Sequence, residues 1–146
     1  MYDVKLINNN VETYINVTSA DQKAPRITGS IKQGINVIDS FTFDIYPNNP
    51  GYKQIYPLKT RVEVENSLTG RVEFIGRVLI AKPSLASTGE LKMSVICESE
   101  LGYLMDSSVT YAEYHNISVK DYLKKLIDNH NSQVDENKRF KVGIVD

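Results

Sequence analysis

Residues 35–46 read INVIDSFTFDIY, and their alternation sets the class of fold. Ile35, Val37, Phe41, Phe43 and Ile45 share one parity, while Asn36, Ser40, Thr42 and Asp44 share the other. A period of two marks a strand with one buried face. Ile38 and Asp39 interrupt it, which leaves room for a bulge. The next segment, YPNNPGYKQIYP, holds three prolines, two asparagines and a glycine. It reads as a loop, because proline removes ladder donors and Asn and Gly tolerate turn dihedrals.

The same grammar runs in both directions. Upstream, Tyr2 to Ile7 stops at Asn8-Asn9-Asn10, and Val11 to Val17 follows, with Thr13, Ile15 and Val17 on one face and Tyr14 on the other. Ala20 to Pro25 is a polar loop, and Arg26 to Lys32 a short strand interrupted by Gly29. Downstream, Arg61 to Glu65 turns Val62 and Val64 inward and Glu63 and Glu65 outward. A connection closed by Gly70 leads to RVEFIGRVLIA, which aligns Val72, Phe74, Gly76, Val78 and Ile80 against Glu73 and Arg77. Ser84 to Gly89 is a polar turn. Last comes ELKMSVICE, with Leu91, Met93, Val95 and Cys97 on one parity. Successive strands with short turns indicate an antiparallel sheet, as a small barrel or sandwich.

The period changes after Cys97. Leu101, Leu104 and Met105 suit a short helical turn that plugs the end of the core, which leaves Glu98 and Glu100 as solvated residues at the junction. SVKDYLKKLIDNHN is the strong helix. Ser118 and Asp121 resemble a capping box, and Ile117 is placed to pack on Tyr122 as a staple. Val119, Leu123, Leu126 and His130 form the apolar stripe, with Lys120, Lys124, Lys125 and Asp128 toward water. Asn131 to Lys138 is a loop, and FKVGIV, from Phe140 to Val145, reads as a strand. The class is mainly β, α+β as a whole. Residues 1–106 form the barrel-like domain, and 107–146 begin a second α+β domain that is expected to continue in a longer chain.

The composition narrows the function. The 146 residues are 41 % hydrophobic and 24 % charged, with a net charge of −1. A near-neutral chain without a basic run lacks the electrostatic footprint of a nucleic-acid or anionic-membrane binder. A single cysteine forms no internal disulfide. No apolar run approaches the roughly 20 residues that span a bilayer. MYDVKLINNN lacks the pattern of a signal peptide, so synthesis in a cytoplasm without general export is the expectation. The sequons at Asn16 and Asn116 then read as coincidental.

No catalytic or metal set emerges. His115, His130 and Cys97 share no ligand spacing, and either histidine reads as a surface or boundary residue. Cys97 continues an inward parity, where cysteine behaves as a small hydrophobe, and neighbouring Glu98 and Glu100 oppose a thiolate. Glu63 and Glu65 lie on an outward strand face, not across a cleft. The enzyme class, cofactors and metals are therefore all read as none. Tyr46, Tyr52 and Tyr56 flank the proline-rich loop, and such rings serve interfaces, sugar sites or the covering of a core. Loops Tyr46–Pro57 and Ser84–Gly89 carry the interface expectation, with Tyr46, Tyr52, Tyr56, Ser84 and Leu85 as the named positions.

The run FIGRVLIAKPSLASTGELKMSVICESELGYLMDSS resembles the N-terminal hub region of tail-tip proteins from long-tailed phages, the tail-associated lysin or prophage endopeptidase tail family. The likeness rests on Phe74-Ile75-Gly76-Arg77, on a strand ending Cys97-Glu98, and on the Leu101-to-Ser107 element followed by the helix from Ser118. It covers the chain from about Ile35 onward. The resemblance implies a non-enzymatic baseplate hub that closes the tail tube at the virion tail tip and is made in the bacterial host cytoplasm. It implies a trimeric ring in the full-length protein, with the distal tail protein and the tape-measure protein as partners. No small-molecule substrate, sequence-specific nucleic acid or membrane insertion is implied. Cell-wall-degrading or receptor-binding modules would lie beyond Asp146, and this region alone is expected to self-associate weakly. A carbohydrate-binding β module, using Tyr46, Tyr52, Tyr56, Asn48 and Asn49, is the alternative. A Cys97/His115 hydrolase is a distant third.

Overall fold

The computed structural model describes residues 1–144. It divides into two compact units, Met1–Leu101 and Gly102–Asp146.

The first unit is a seven-stranded sheet: β1 (Tyr2–Asn8), β2 (Val11–Asn16), β3 (Thr28–Lys32), β4 (Ser40–Ile45), β5 (Arg61–Asn66), β6 (Arg71–Leu85) and β7 (Leu91–Ser99). Their order is β2-β1-β5-β6-β7-β4-β3, every neighbour antiparallel, and the sheet curls into a half-barrel. The mainly β, antiparallel expectation holds. The turns follow from their residues. Asn9 and Asn10 both have positive φ (50° and 65°), as a two-residue hairpin of the primed type requires. Gly70 (φ +67°) closes β5–β6, and Gly89 (φ +82°) closes the three-residue β6–β7 turn, whose bond runs from Ala86 N–H to Glu90 C=O at 2.8 Å.

One face of the sheet makes the core. Val4, Leu6, Ile15, Phe41, Phe43, Ile45, Val62, Val64, Phe74, Val78, Val95 and Cys97 are buried together. The Phe41 ring stacks on Phe43 at 5.1 Å and leans on Phe74 at 5.8 Å. Alternation located most of these residues.

The deviations have local causes. β4 begins at Ser40, not Ile35, because residues 34–39 form a tight turn through Asn36 (φ 61°). The Asp39 carboxylate accepts from Gly34 N–H in that turn, which leaves Ile35 92 % exposed and Val37 exposed. In β6 the register shifts opposite Val64/Glu65 and again between Val78 and Ile80, so Val72 and Ile80 turn outward and Ala81 turns in. β6 also continues to Leu85, so Ser84 and Leu85 are strand residues and the turn is Ala86–Glu90. Arg77 and Glu98, expected in water, form a largely buried pair on neighbouring strands, with Nη2 2.7 Å from Oε1.

A 3-10 turn, Glu100–Asp106, follows β7. Its buried residues are Gly102 and Tyr103; of the three expected to plug the core end, Leu104 is half-buried while Leu101 and Met105 are exposed. In the second unit the helix α1 (Val119–Asn131) starts where its cap predicts: Asp121 N–H donates to Ser118 Oγ at 3.1 Å. Its stripe is only partly covered. His130 is buried and Leu126 half-buried, while Val119 and Leu123 are exposed. The Tyr122 ring meets Tyr114 edge-on at 5.8 Å. Residues 140–144 form no strand, and Val145 of that expected strand lies outside the described residues.

Candidate functional site

At one end of the half-barrel the segment joining β2 to β3, the β4–β5 loop and the β6–β7 turn enclose a groove of about 1160 Å³. Lys23 and Arg26 line it from the first segment, Tyr46 and Asn48 from the second, and Gly89 and Leu91 from the third.

Buried amides and hydroxyls hold the β4–β5 loop that forms part of its wall. Asn49 is 7 % exposed. Its Nδ2 donates to the carbonyls of Ile15 (2.8 Å) and Arg26 (3.2 Å), and its Oδ1 accepts from Gly51 N–H (3.1 Å). One side chain thus ties β2, the β2–β3 segment and the β4–β5 loop together. Gly51, in the same loop, lies so close on β2 that a Cβ would lie 2.2 Å from the Ile15 side chain. Thr60, fully buried, accepts from Tyr56 N–H at 2.9 Å and lies 2.8 Å from Asn8 Oδ1. The Arg26 guanidinium donates to the carbonyls of Val17 and Ser19, pinning the β2–β3 segment on itself.

Of the five positions expected at an interface, Tyr46 lines the groove, half-buried. Ser84 and Leu85 are exposed on the arm of the hairpin whose turn forms one wall. Tyr52 packs against the core, and Tyr56 is half-exposed outside the groove, its hydroxyl toward Lys53 C=O. Of the sugar-site set, Tyr46, Asn48 and Asn49 line the groove together, and Tyr52 and Tyr56 lie outside it. In the sequence Asn49 reads as a turn residue and a sugar-site candidate, not as a buried tie. Its flanking prolines, in PNNPG, are the one sequence hint of a rigid loop.

Among the described residues, no buried side-chain nitrogen or oxygen lacks a partner, and no three His, Cys, Asp or Glu side chains cluster as a metal site. No described helix is long and apolar enough to cross a membrane. Cys97 is fully buried in the core, and burial pushes its thiol far above the ordinary range. Glu63 is held by Lys5, which also bonds Glu12, both at 3.0 Å. His130, expected at the surface or a boundary, is a buried structural residue. Nδ1 lies 2.8 Å from Ser107 Oγ, and Nε2 must donate to the Lys138 carbonyl at 3.0 Å, since a carbonyl only accepts. The Phe140 ring lies 5.4 Å from it. His115 is exposed beside Glu113.

No protein-family model matches the chain, and no curated protein matches it. Solved structures do. The chain is similar to the tail protein from Neisseria meningitidis MC58, with a TM-score of 0.54 and 19 % identity, over 87 % of this chain and 33 % of that one. It is also similar to the 43 kDa tail protein of prophage MuSo2 from Shewanella oneidensis, with a TM-score of 0.57 and 16 % identity, over 90 % of this chain and 39 % of that one. At such identities the likeness is one of fold. The chain spans between a third and two fifths of these proteins' lengths.

Proposed function

We propose that this chain is a structural part of a phage or prophage tail, at the tail tip, where it acts as a non-enzymatic baseplate hub. The observation that carries the reading is the shared fold with two tail proteins over 87 % and 90 % of the chain. The chemistry agrees with it. The one thiol is buried and its ionisation suppressed, and the Asn49 amide in the groove wall is taken up in holding loops together.

In this role the full-length protein assembles as a trimeric ring that closes the tail tube, between the distal tail protein and the tape-measure protein. It anchors modules that degrade the cell wall or bind receptors. The groove edge at Tyr46 and the arm at Ser84 and Leu85 are the surfaces offered to those partners, because exposed loops and hairpin tips on a rigid β scaffold carry contacts.

Deletion of the coding region from the phage or prophage tests the role. The expected result is particles with defective tails and no infectivity, restored by the gene supplied in trans. Normal tails and full infectivity in the deletion would overturn it.

A further inference from the structure

Around the groove, much of the main chain is spent on the fold. Val17 N–H donates to Pro25 C=O (3.2 Å), Asn49 N–H to Tyr46 C=O (2.9 Å) and Gly89 N–H to Ala86 C=O (2.9 Å). The Asn49 side chain takes the Arg26 carbonyl. Pro25, Pro47 and Pro50, all in the lining, carry no N–H.

The side chains are the reverse. Gln22, Lys23, Tyr46, Asn48 and Glu90 all line the groove, Tyr46 half-buried and the others exposed. Among the described residues, none of these five side chains has a hydrogen-bonding partner within the chain. An aromatic ring, two amides, an ammonium and a carboxylate thus face one groove with their polar groups unspent.

We propose that this groove binds an oligosaccharide, a short run of pyranose units in a cell-surface polymer. The division of polar groups selects that class. An extended peptide is held chiefly by main-chain bonds, which these walls have largely used on themselves. A polyanion needs a concentrated basic face. Here Glu90 accompanies Lys23 and Arg26, and the Arg26 guanidinium is turned onto the carbonyls of Val17 and Ser19. An apolar ligand would desolvate five polar side chains and pair none of them.

A sugar meets each group with a match. Its C–H face lies on the Tyr46 ring, and its hydroxyls both donate and accept. The amides of Gln22 and Asn48 do both, Lys23 donates and Glu90 accepts. Pro25, Pro47, Pro50 and Leu91 supply apolar wall between them.

The site is also set before a ligand arrives. Asn49 ties the β4–β5 loop to β2 and the β2–β3 segment, and Arg26 pins that segment on itself. Binding then costs little ordering of loops. A volume of about 1160 Å³ lies just above the usual range for small-ligand sites, which suits a piece of a polymer over a single enclosed sugar. Glu90 is the one carboxylate among the described lining residues, so the groove lacks the carboxyl pair that glycoside cleavage uses. It holds the sugar without cutting it. Tyr46 also borders the surface offered to tail partners, so sugar and partner exclude each other at that edge.

The test is an NMR titration of the labelled protein with oligosaccharides cut from the surface polysaccharide of the bacterium that supports the phage or carries the prophage. The expected result is saturable shifts at amides within 22–28, 46–51 and 89–91. Tyr46→Ala should weaken binding at least about tenfold, the loss of roughly 1.4 kcal/mol of contact. Asn48→Ala should weaken it several-fold, and because that side chain is exposed and makes no bond, it reads the site even where Tyr46→Ala fails to fold. Tyr56→Phe, outside the groove, should bind as wild type does. No shifts, shifts confined to another surface, or unchanged binding in Asn48→Ala and Tyr46→Ala overturns the proposal. That failure leaves the tail location standing, whereas binding by a protein dispensable for tails would keep the sugar site and remove the location.

Discussion

Asn49 joins three segments through one amide, and its loss leaves the Ile15 and Arg26 carbonyls and the Gly51 N–H without that partner. Asn49→Ala should therefore destabilise the first unit by about 1–3 kcal/mol, the cost of unsatisfied buried polar groups, read from urea unfolding. Cys97 should resist thiol reagents in the folded protein and react once unfolded, since burial disfavours its thiolate. Asp44 makes a pH prediction with a definite sign. Lys92 and then the Ser94 hydroxyl hold its carboxyl below the usual value, with contacts of 2.8 and 2.5 Å. A depressed carboxyl stabilises the fold above about pH 4, and the contribution fades as pH falls through the folded value. Lys92 is raised by the same contact, so its share is present below about pH 10 and lost above it. The Tm gap between wild type and Asp44→Asn should accordingly be widest near neutrality and shrink toward pH 3. A gap that does not change with pH would show that the pair's charge is irrelevant to stability.

At the scale of elements, glycine marks where strands approach most closely. A Cβ on Gly76 would lie 2.0 Å from the Glu98 carbonyl oxygen of β7, so Gly76→Ala should cost about 1–3 kcal/mol or prevent folding of β6–β7. Ser118→Ala removes the α1 cap, and about 1 kcal/mol of helix stability should go with it, seen as lost ellipticity at 222 nm. These elements also show what the sequence disclosed. Parity placed Phe41, Phe43, Ile45, Val62, Val64, Phe74, Val78, Val95 and Cys97 inside, because one buried face imposes a period of two. It misplaced Val72 and Ile80, because a bulge resets parity without leaving a composition signal. It overran β4, because Ile35 and Val37 look like strand residues while the turn at Asn36 is fixed by the Asp39 side chain. The groove was half legible. Proline and asparagine marked the loop and Tyr46, but the burial of Asn49 depends on β2 and the β2–β3 segment, more than twenty residues earlier in the chain.

Over the whole molecule, the first unit is a curled antiparallel sheet with an apolar core on one face. The fold it shares with two tail proteins supports the proposed place at a phage or prophage tail tip. The central claim is therefore one of location. Gold-labelled antibody against this chain, applied to particles from the producing strain and viewed by electron microscopy, tests it most directly. The account predicts label confined to the end of the tail distal to the head. Label along the whole tube, on the head, or absent from the particles would contradict it.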